Sequence, residues 1–188
     1  EYESMRSETP ECLFHALEQS GNWCLRSGWD RNADYLHFKC GSLGGGHGHF
    51  DKLHVDLSIA GEDVLIDSGR YTYVDGSLRR QLKSSCAHNV PVVDWQEYTQ
   101  CTGSWDVKGR TAPAGQDWSQ KGPYTFLQGT HLGYLPAGVL VNRRIISIGT
   151  RIHVIADEFY GTGTHVLSQV FHLNPAGSVE MREDVFLY

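Results

Sequence analysis

At 188 residues the chain suits one domain, or one and a fraction, with length for a true core. Hydrophobic residues make up 40% and charged residues 20%, with 21 glycines, a globular and turn-rich composition that excludes disorder. The formal net charge of −6 leaves no global basic field for nucleic acid, and no apolar run is long enough to cross a bilayer. Residues 1–6 carry no apolar signal-peptide segment. The five cysteines (Cys12, Cys24, Cys40, Cys86, Cys101) are odd in number and form no C-x-x-C pair, which excludes a zinc ribbon or a thioredoxin motif. No disulfide is expected.

Helical signal is confined to the start: residues 8–11 open a short helix through Cys12, Leu13, Ala16 and Leu17, which Ser20-Gly21 ends. Everything after reads as strands and turns. Two short strands, 22–26 and 33–40, flank a turn at Gly28-Trp29-Asp30. In 52–59, Leu53, Val55, Leu57 and Ile59 alternate with Lys52, His54, Asp56 and Ser58, the clearest strand of the chain. Gly61-Glu62-Asp63 then turns it into 64–67, a hairpin. Further strands are predicted at 88–94, 104–108, 125–130, 138–146, 151–158 and 165–173, with a second hairpin about Gly149. Residues 109–122, with two prolines nearby, read as a surface loop. No repeat appears, so the fold class is all-β, an antiparallel β-sandwich with a short N-terminal helical remnant. The tail from Ser178 starts a strand that ends without a turn or partner, so the chain is expected to be a fragment.

Chemistry concentrates in Gly44-Gly45-Gly46-His47-Gly48-His49-Phe50-Asp51, followed by Asp67 and His88. Glycines permit a tight turn, and two histidines one residue apart on extended chain point the same way. With a carboxylate and a third imidazole at neighbouring strand ends, His49, Asp67 and His88 form a ligand set for a divalent metal, zinc with mixed nitrogen and oxygen donors. Asp51 either orients an imidazole or caps the turn. Arg79, Arg80 and Lys83 form a local basic patch suited to sugar carboxylates or sulfates, and Trp29, Trp95, Trp105 and Trp118 offer stacking surfaces or core packing.

Taken together, Gly46-His47-Gly48-His49 with Asp51 and Leu53, Leu65-Ile66-Asp67-Ser68-Gly69-Arg70-Tyr71-Thr72-Tyr73, Arg79-Arg80, and Ala87-His88-Asn89 with Val93-Asp94 resemble the β-sandwich domain of heparinase II/III-like polysaccharide lyases, from about Asn22 to Leu173. The resemblance implies β-elimination on an acidic, uronic-acid-containing polysaccharide (glycosaminoglycan or alginate type) in the periplasm or outside the cell. It carries the metal ligands onto His49, Asp67 and His88 and a catalytic role onto His47; beside them, Arg79 and Arg80 are the candidate substrate-charge partners. The domain division it implies is 1–21 as a linker or the end of a missing helical domain and 22–188 as the sandwich. That helical toroid, the partner expected to supply a catalytic Tyr, is absent, so the fragment alone is expected to be inactive; Tyr71, Tyr73 and Tyr98 are the candidates should it prove active. Ser68 stands where the family usually has Pro.

Two other readings compete. A non-catalytic carbohydrate-binding sandwich would use the tryptophans and arginines alone. A cupin-like metalloprotein fits Gly41, His47, His49 and Gly61 but places its carboxylate near Leu53 or His54. Its second motif fails at Pro136-Ala137-Gly138. Asp67 among the ligands favours the lyase, and His54 the cupin.

Overall fold

The computed structural model describes residues 8–43, 47–109, 111–183 and 185–188. Two antiparallel sheets dominate it. The first contains β1 (Phe14–Leu17), β2 (Asn22–Arg26), β3 (Tyr35–Lys39), β4 (His54–Ile59) and β5 (Glu62–Leu65), in that order. Then come the helix α1 (Ser77–Lys83) and the short strands β6 (Pro91–Val93), β7 (Gln100–Cys101) and β8 (Val107–Lys108). The second sheet holds β9 (Pro113–Lys121), β10 (Tyr124–His131), β11 (Val139–Ile148) and β12 (Ile152–Gly161), in the order β12-β11-β10-β9. β13 (Leu167–Gln169) pairs with β6, and β14 (Glu180–Arg182) pairs with β15 (Val185–Leu187).

The core follows from period-two alternation. Trp23 and Leu25 of β2, Leu36 and Phe38 of β3 and Val55 of β4 face inward and meet Leu127, Val139, Val141 and Ile145 of the second sheet. Burying each such side chain contributes about 1.5–3 kcal/mol. The hairpin from β4 to β5 turns on Ala60 (φ 53°) and Gly61 (φ 79°), the left-handed pair that matches strand twist. A Cβ on Gly61 would lie 2.1 Å from the Arg31 carbonyl oxygen.

Three expectations are corrected. The helix expected over residues 8–20 is instead strand β1, paired with β2 at Phe14↔Leu25 and Ala16↔Trp23. Ser20-Gly21 does mark a stop, but Gly21 (φ 65°) closes a hairpin there: the Ser20 amide donates to the Leu17 carbonyl and the Gly21 amide to the Glu18 carbonyl. The loop expected at 109–122 contains β9, a polar edge strand. Its exposed sequence Gln116-Asp117-Trp118-Ser119-Gln120 has no apolar alternation to announce a strand, and Pro113 sits at its first position, where no ladder donor is needed. The tail, expected to lack a turn and partner, forms the hairpin β14–β15, and the Tyr188 hydroxyl donates to the Asn174 carbonyl at 2.7 Å. All five cysteines are free.

A buried cation ties the sheets together. Arg143 of β11 is fully buried and grips Asp157 of β12 through Nε and Nη2, both at 2.7 Å. Its Nη1 donates to the Leu53 carbonyl at 2.7 Å and the Asn89 carbonyl at 2.6 Å. Leu53 has φ 69°, a left-handed conformation that costs a non-glycine residue about 1–2 kcal/mol and is held by this contact and by the Leu53 amide on the Lys39 carbonyl.

Two outcomes are expected. Asp157→Asn removes the charge partner of a buried guanidinium and lowers stability by about 3–5 kcal/mol in urea unfolding followed by tryptophan fluorescence. His131, whose Nδ1 accepts the Gly133 amide at 3.0 Å, is pushed down to about 3 by burial, reinforced by the charge of Lys52. The unfolded chain takes up that proton near pH 6.5 and the folded chain does not, so stability falls as pH drops from about 6.5 toward 3. His131→Phe makes this acid limb shallower, measured as melting temperature against pH.

Candidate metal and substrate site

The site lies where β4, β5, α1 and the turn before β6 converge. The glycine run 44–46 lies outside the described residues. Beyond it the chain passes His47, exposed, and His49, partly buried. Gly48 between them has no room for a side chain: a Cβ there would lie 1.9 Å from the Leu43 carbonyl oxygen.

One donor atom from each of His49, Asp67 and His88 lies within 4.8 Å of the others, so the three expected ligands do converge. Asp67 follows β5, where the Ile66 amide donates to the His172 carbonyl at 2.9 Å. His88 follows a 3₁₀ turn over Ser85–Ala87 and is fully buried. Burial alone would raise the Asp67 carboxyl, but the hydrogen bond and charge of His88, with the Gly69 amide, hold it at about 2. Asp67 is therefore ionised and accepts from His88 Nδ1 at 2.6 Å. The other ring nitrogen of His88, Nε2, is buried and has no partner among the described residues. Burial, and after it the neighbouring His88, push His49 down to about 4, so its imidazole is neutral at ordinary pH. An ionised carboxylate, a neutral imidazole and an orphaned imidazole nitrogen fit a divalent cation.

His54 does not join this set. The Asn89 amide donates to its Nδ1 at 3.0 Å, so Nε2 carries the proton and donates to Asp56 at 2.8 Å. With both nitrogens used, His54 braces the site from behind, 3.6 Å from Asp67. Asp56 also accepts from His37 at 3.1 Å, and despite burial these two imidazoles hold its carboxyl far below the usual range. The residue that organises the pocket is Asn89. Its side-chain nitrogen donates to the Val55 and Ile66 carbonyls (2.8 and 3.1 Å), and its oxygen accepts the His172 amide at 2.6 Å. Its place in Ala87-His88-Asn89 was the available sequence signal.

His47 stands apart from the triad. Its Nδ1 lies 3.0 Å from the Tyr73 hydroxyl, and its ring meets Tyr73 and Trp105 edge-on, both at 5.1 Å. Tyr73 and Trp105 stack at 5.0 Å, and the Arg70 guanidinium covers Tyr73 at 4.1 Å. Of the four tryptophans singled out as stacking surfaces, Trp105 is the one in contact with His47. Trp118 instead donates to Glu18 and packs on Phe14, and Trp29 lies under Arg26. Tyr98 is interior, its hydroxyl accepting the Lys52 amide at 3.2 Å, while Tyr71 is exposed.

The two arginines part company. Arg80 is exposed and paired with Asp75. Arg79 is fully buried, its Nη1 3.0 Å from His49 Nε2. Asp51 orients no imidazole; it accepts from Lys39 at 2.6 Å.

Comparison with known proteins matches residues 10–186 to the family described as Heparinase II/III-like, C-terminal. A heparin-sulfate lyase from Pedobacter heparinus is 28% identical over 95 residues, covering 48% of this chain and 14% of that protein. Among solved structures, a heparinase III gene product aligns over 100% of this chain and 28% of its own (TM-score 0.81, 19% identity). The crystal structure of a heparan sulfate lyase mutant from Pedobacter heparinus aligns over 92% and 26% (TM-score 0.76, 22% identity). The chain thus spans between about a seventh and just over a quarter of the length of these relatives.

The geometry separates the two histidines in their effect on stability. His54→Leu strips the Asn89 amide of its acceptor and is expected to cost about 1–3 kcal/mol in chemical denaturation. His47→Ala, at an exposed position, stays within about 0.5 kcal/mol of the parent chain.

Proposed function

Since this chain belongs to the heparinase II/III-like C-terminal family, we propose that it is the β-sandwich domain of a polysaccharide lyase acting on a uronic-acid-containing polysaccharide of glycosaminoglycan or alginate type. The observation that carries the reading is an exposed imidazole, His47, braced by Tyr73 and Trp105 beside the convergent donors His49, Asp67 and His88. The names of the relatives, heparin-sulfate lyase and heparinase III, support the substrate class. Action in the periplasm or outside the cell belongs to the same proposal. Among the described residues no helix is long and apolar enough to cross a membrane.

The chemistry is β-elimination. A base removes the proton at C5 of the uronate, beside the carboxylate, and the 4-linked oxygen leaves as an acid protonates it. That C–H is weakly acidic while the carboxylate is ionised, so the site must stabilise the charge that develops. His47 is the proton-transferring group this chain supplies. Its Nδ1 is engaged by Tyr73, and among the described residues no group is bonded to Nε2, the nitrogen that meets substrate. The second proton-transferring group, a Tyr, and the remaining carboxylate contacts come from a helical domain outside these 188 residues.

His49, Asp67 and His88 hold the divalent cation, zinc in this proposal. Bound there, it would supply a fixed positive charge beside the loop that carries His47. Asn89 holds the Ile66 carbonyl next to Asp67, and its amide fixes His54, 3.6 Å from Asp67.

Metal analysis of the purified chain is expected to give close to one equivalent, with loss in His49→Ala and retention in His47→Ala. In the longer parent protein, ultraviolet absorbance of the unsaturated uronate product reports turnover on a panel of uronate polymers. His47→Ala should remove most of it with metal and melting temperature unchanged. Metal loss in both variants makes His47 a ligand and refutes the division of roles. Polymer binding without turnover by the parent makes this a carbohydrate-binding module.

A further inference from the structure

The buried face of α1 is cationic. Arg79 and Lys83, one turn apart, are both fully buried, an arrangement in which like charges repel and neither is solvated by bulk water. Lys83 Nζ lies 3.4 Å from the Ser104 carbonyl, in the turn between β7 and β8. Arg79 spends only Nη1, on His49; its Nε and Nη2 are buried with no partner, as is the Ser104 hydroxyl.

The edge left empty is the one this chain uses elsewhere to hold carboxylates. Arg143 grips Asp157 through Nε and Nη2 at 2.7 and 2.7 Å. Arg80 does the same to Asp75 at 3.2 and 2.9 Å, and Arg182 to Glu180 at 3.0 and 3.0 Å. Two parallel N–H groups at this spacing match a pair of oxygens on one atom. At Arg79 the fork is present, desolvated and charged, and among the described residues no carboxylate fills it. A buried guanidinium without a counter-ion is among the most costly arrangements a fold can hold.

The geometry points to an oxyanion site at the Nε/Nη2 fork of Arg79, completed by the Ser104 hydroxyl. It lies beneath the Tyr73 ring, 5.3 Å from the Arg79 guanidinium carbon, and so within the surface that bears His47 and Trp105. The ligand is a group presenting two oxygens from one centre, a carboxylate or a sulfate. That the group belongs to an acidic sugar rests on the function proposed above. The anion-binding chemistry does not. Entry requires the turn that carries Ser104 to yield; the two strands that hold it, β7 and β8, are two residues each.

The test is melting temperature of the chain in sodium sulfate, sodium glucuronate and sodium chloride at matched ionic strength. Sulfate stabilises proteins generally over chloride, so the readout is the rise in the parent beyond that in Arg79→Met. A larger rise in the parent is expected, and the salt that gives it identifies the oxyanion. Without added anion Arg79→Met should melt no lower than the parent, because it removes an unpaired charge. Ser104→Ala should weaken the excess. A rise of equal size in the parent and Arg79→Met, in both sulfate and glucuronate, overturns the site. Should Arg79→Met fail to fold, the Nε–H resonance of Arg79 in the parent chain decides: displacement by sulfate supports the site and its absence refutes it. Anion binding at Arg79 without cleavage of any uronate polymer by the longer protein keeps this inference and removes the lyase reading. Cleavage without anion binding does the reverse.

Discussion

Arg143 is the point on which the architecture turns. Its guanidinium makes four hydrogen bonds inside the protein, to three separate parts of the chain: two to Asp157 on β12, one to Leu53 at the entry to β4, and one to Asn89 before β6. A charge so deep is tolerated only when its partners are fixed. The reverse also holds, because the partners are fixed by the charge. Leu53 keeps its left-handed backbone, and with it the register that sends Val55 inward and leaves Asp56 beside His37 and His54.

From Asn89 the same network reaches the site. Every polar group of that residue is used: the carbonyl by Arg143, the amide by His54, and the side chain by Val55, Ile66 and His172. Ile66 precedes Asp67 and Asn89 follows His88, so two of the three converging donors are held one residue from a fully satisfied clamp. His49 has no such clamp; its contact is with Arg79, a residue of α1.

The parts legible in the sequence were those with a local pattern. Alternation in 52–59 located β4, and the motifs around His49, Asp67 and His88 brought out the donors that the structure places together. The misreadings came where local signals were shared or silent. Ser20-Gly21 ends helices and closes hairpins alike, and pairing of β1 with β2 decided between them. β9 is polar because it is an edge, and so carries no alternation. Asn89 and Arg143 were hidden for another reason: their partners lie up to 90 residues away in the chain, from Arg143 to Leu53, and no spacing rule reaches that far. Arg79 and Arg80 look equivalent as neighbours in a row, yet successive residues on a helix diverge by about 100°, and one is buried while the other is solvated.

The same neighbour logic explains why the two imidazoles flanking Gly48 part. The chain must pass so close to the Leu43 carbonyl that residue 48 bears no Cβ. His49 falls on the inner side, where burial keeps it neutral and His88 lies 5.2 Å away ring to ring. His47 falls on the outer side, among the exposed faces of Tyr73 and Trp105. One residue of separation across a sterically forced glycine thus puts one ring inside, against Arg79 and His88, and leaves the other at the surface beside Tyr73 and Trp105.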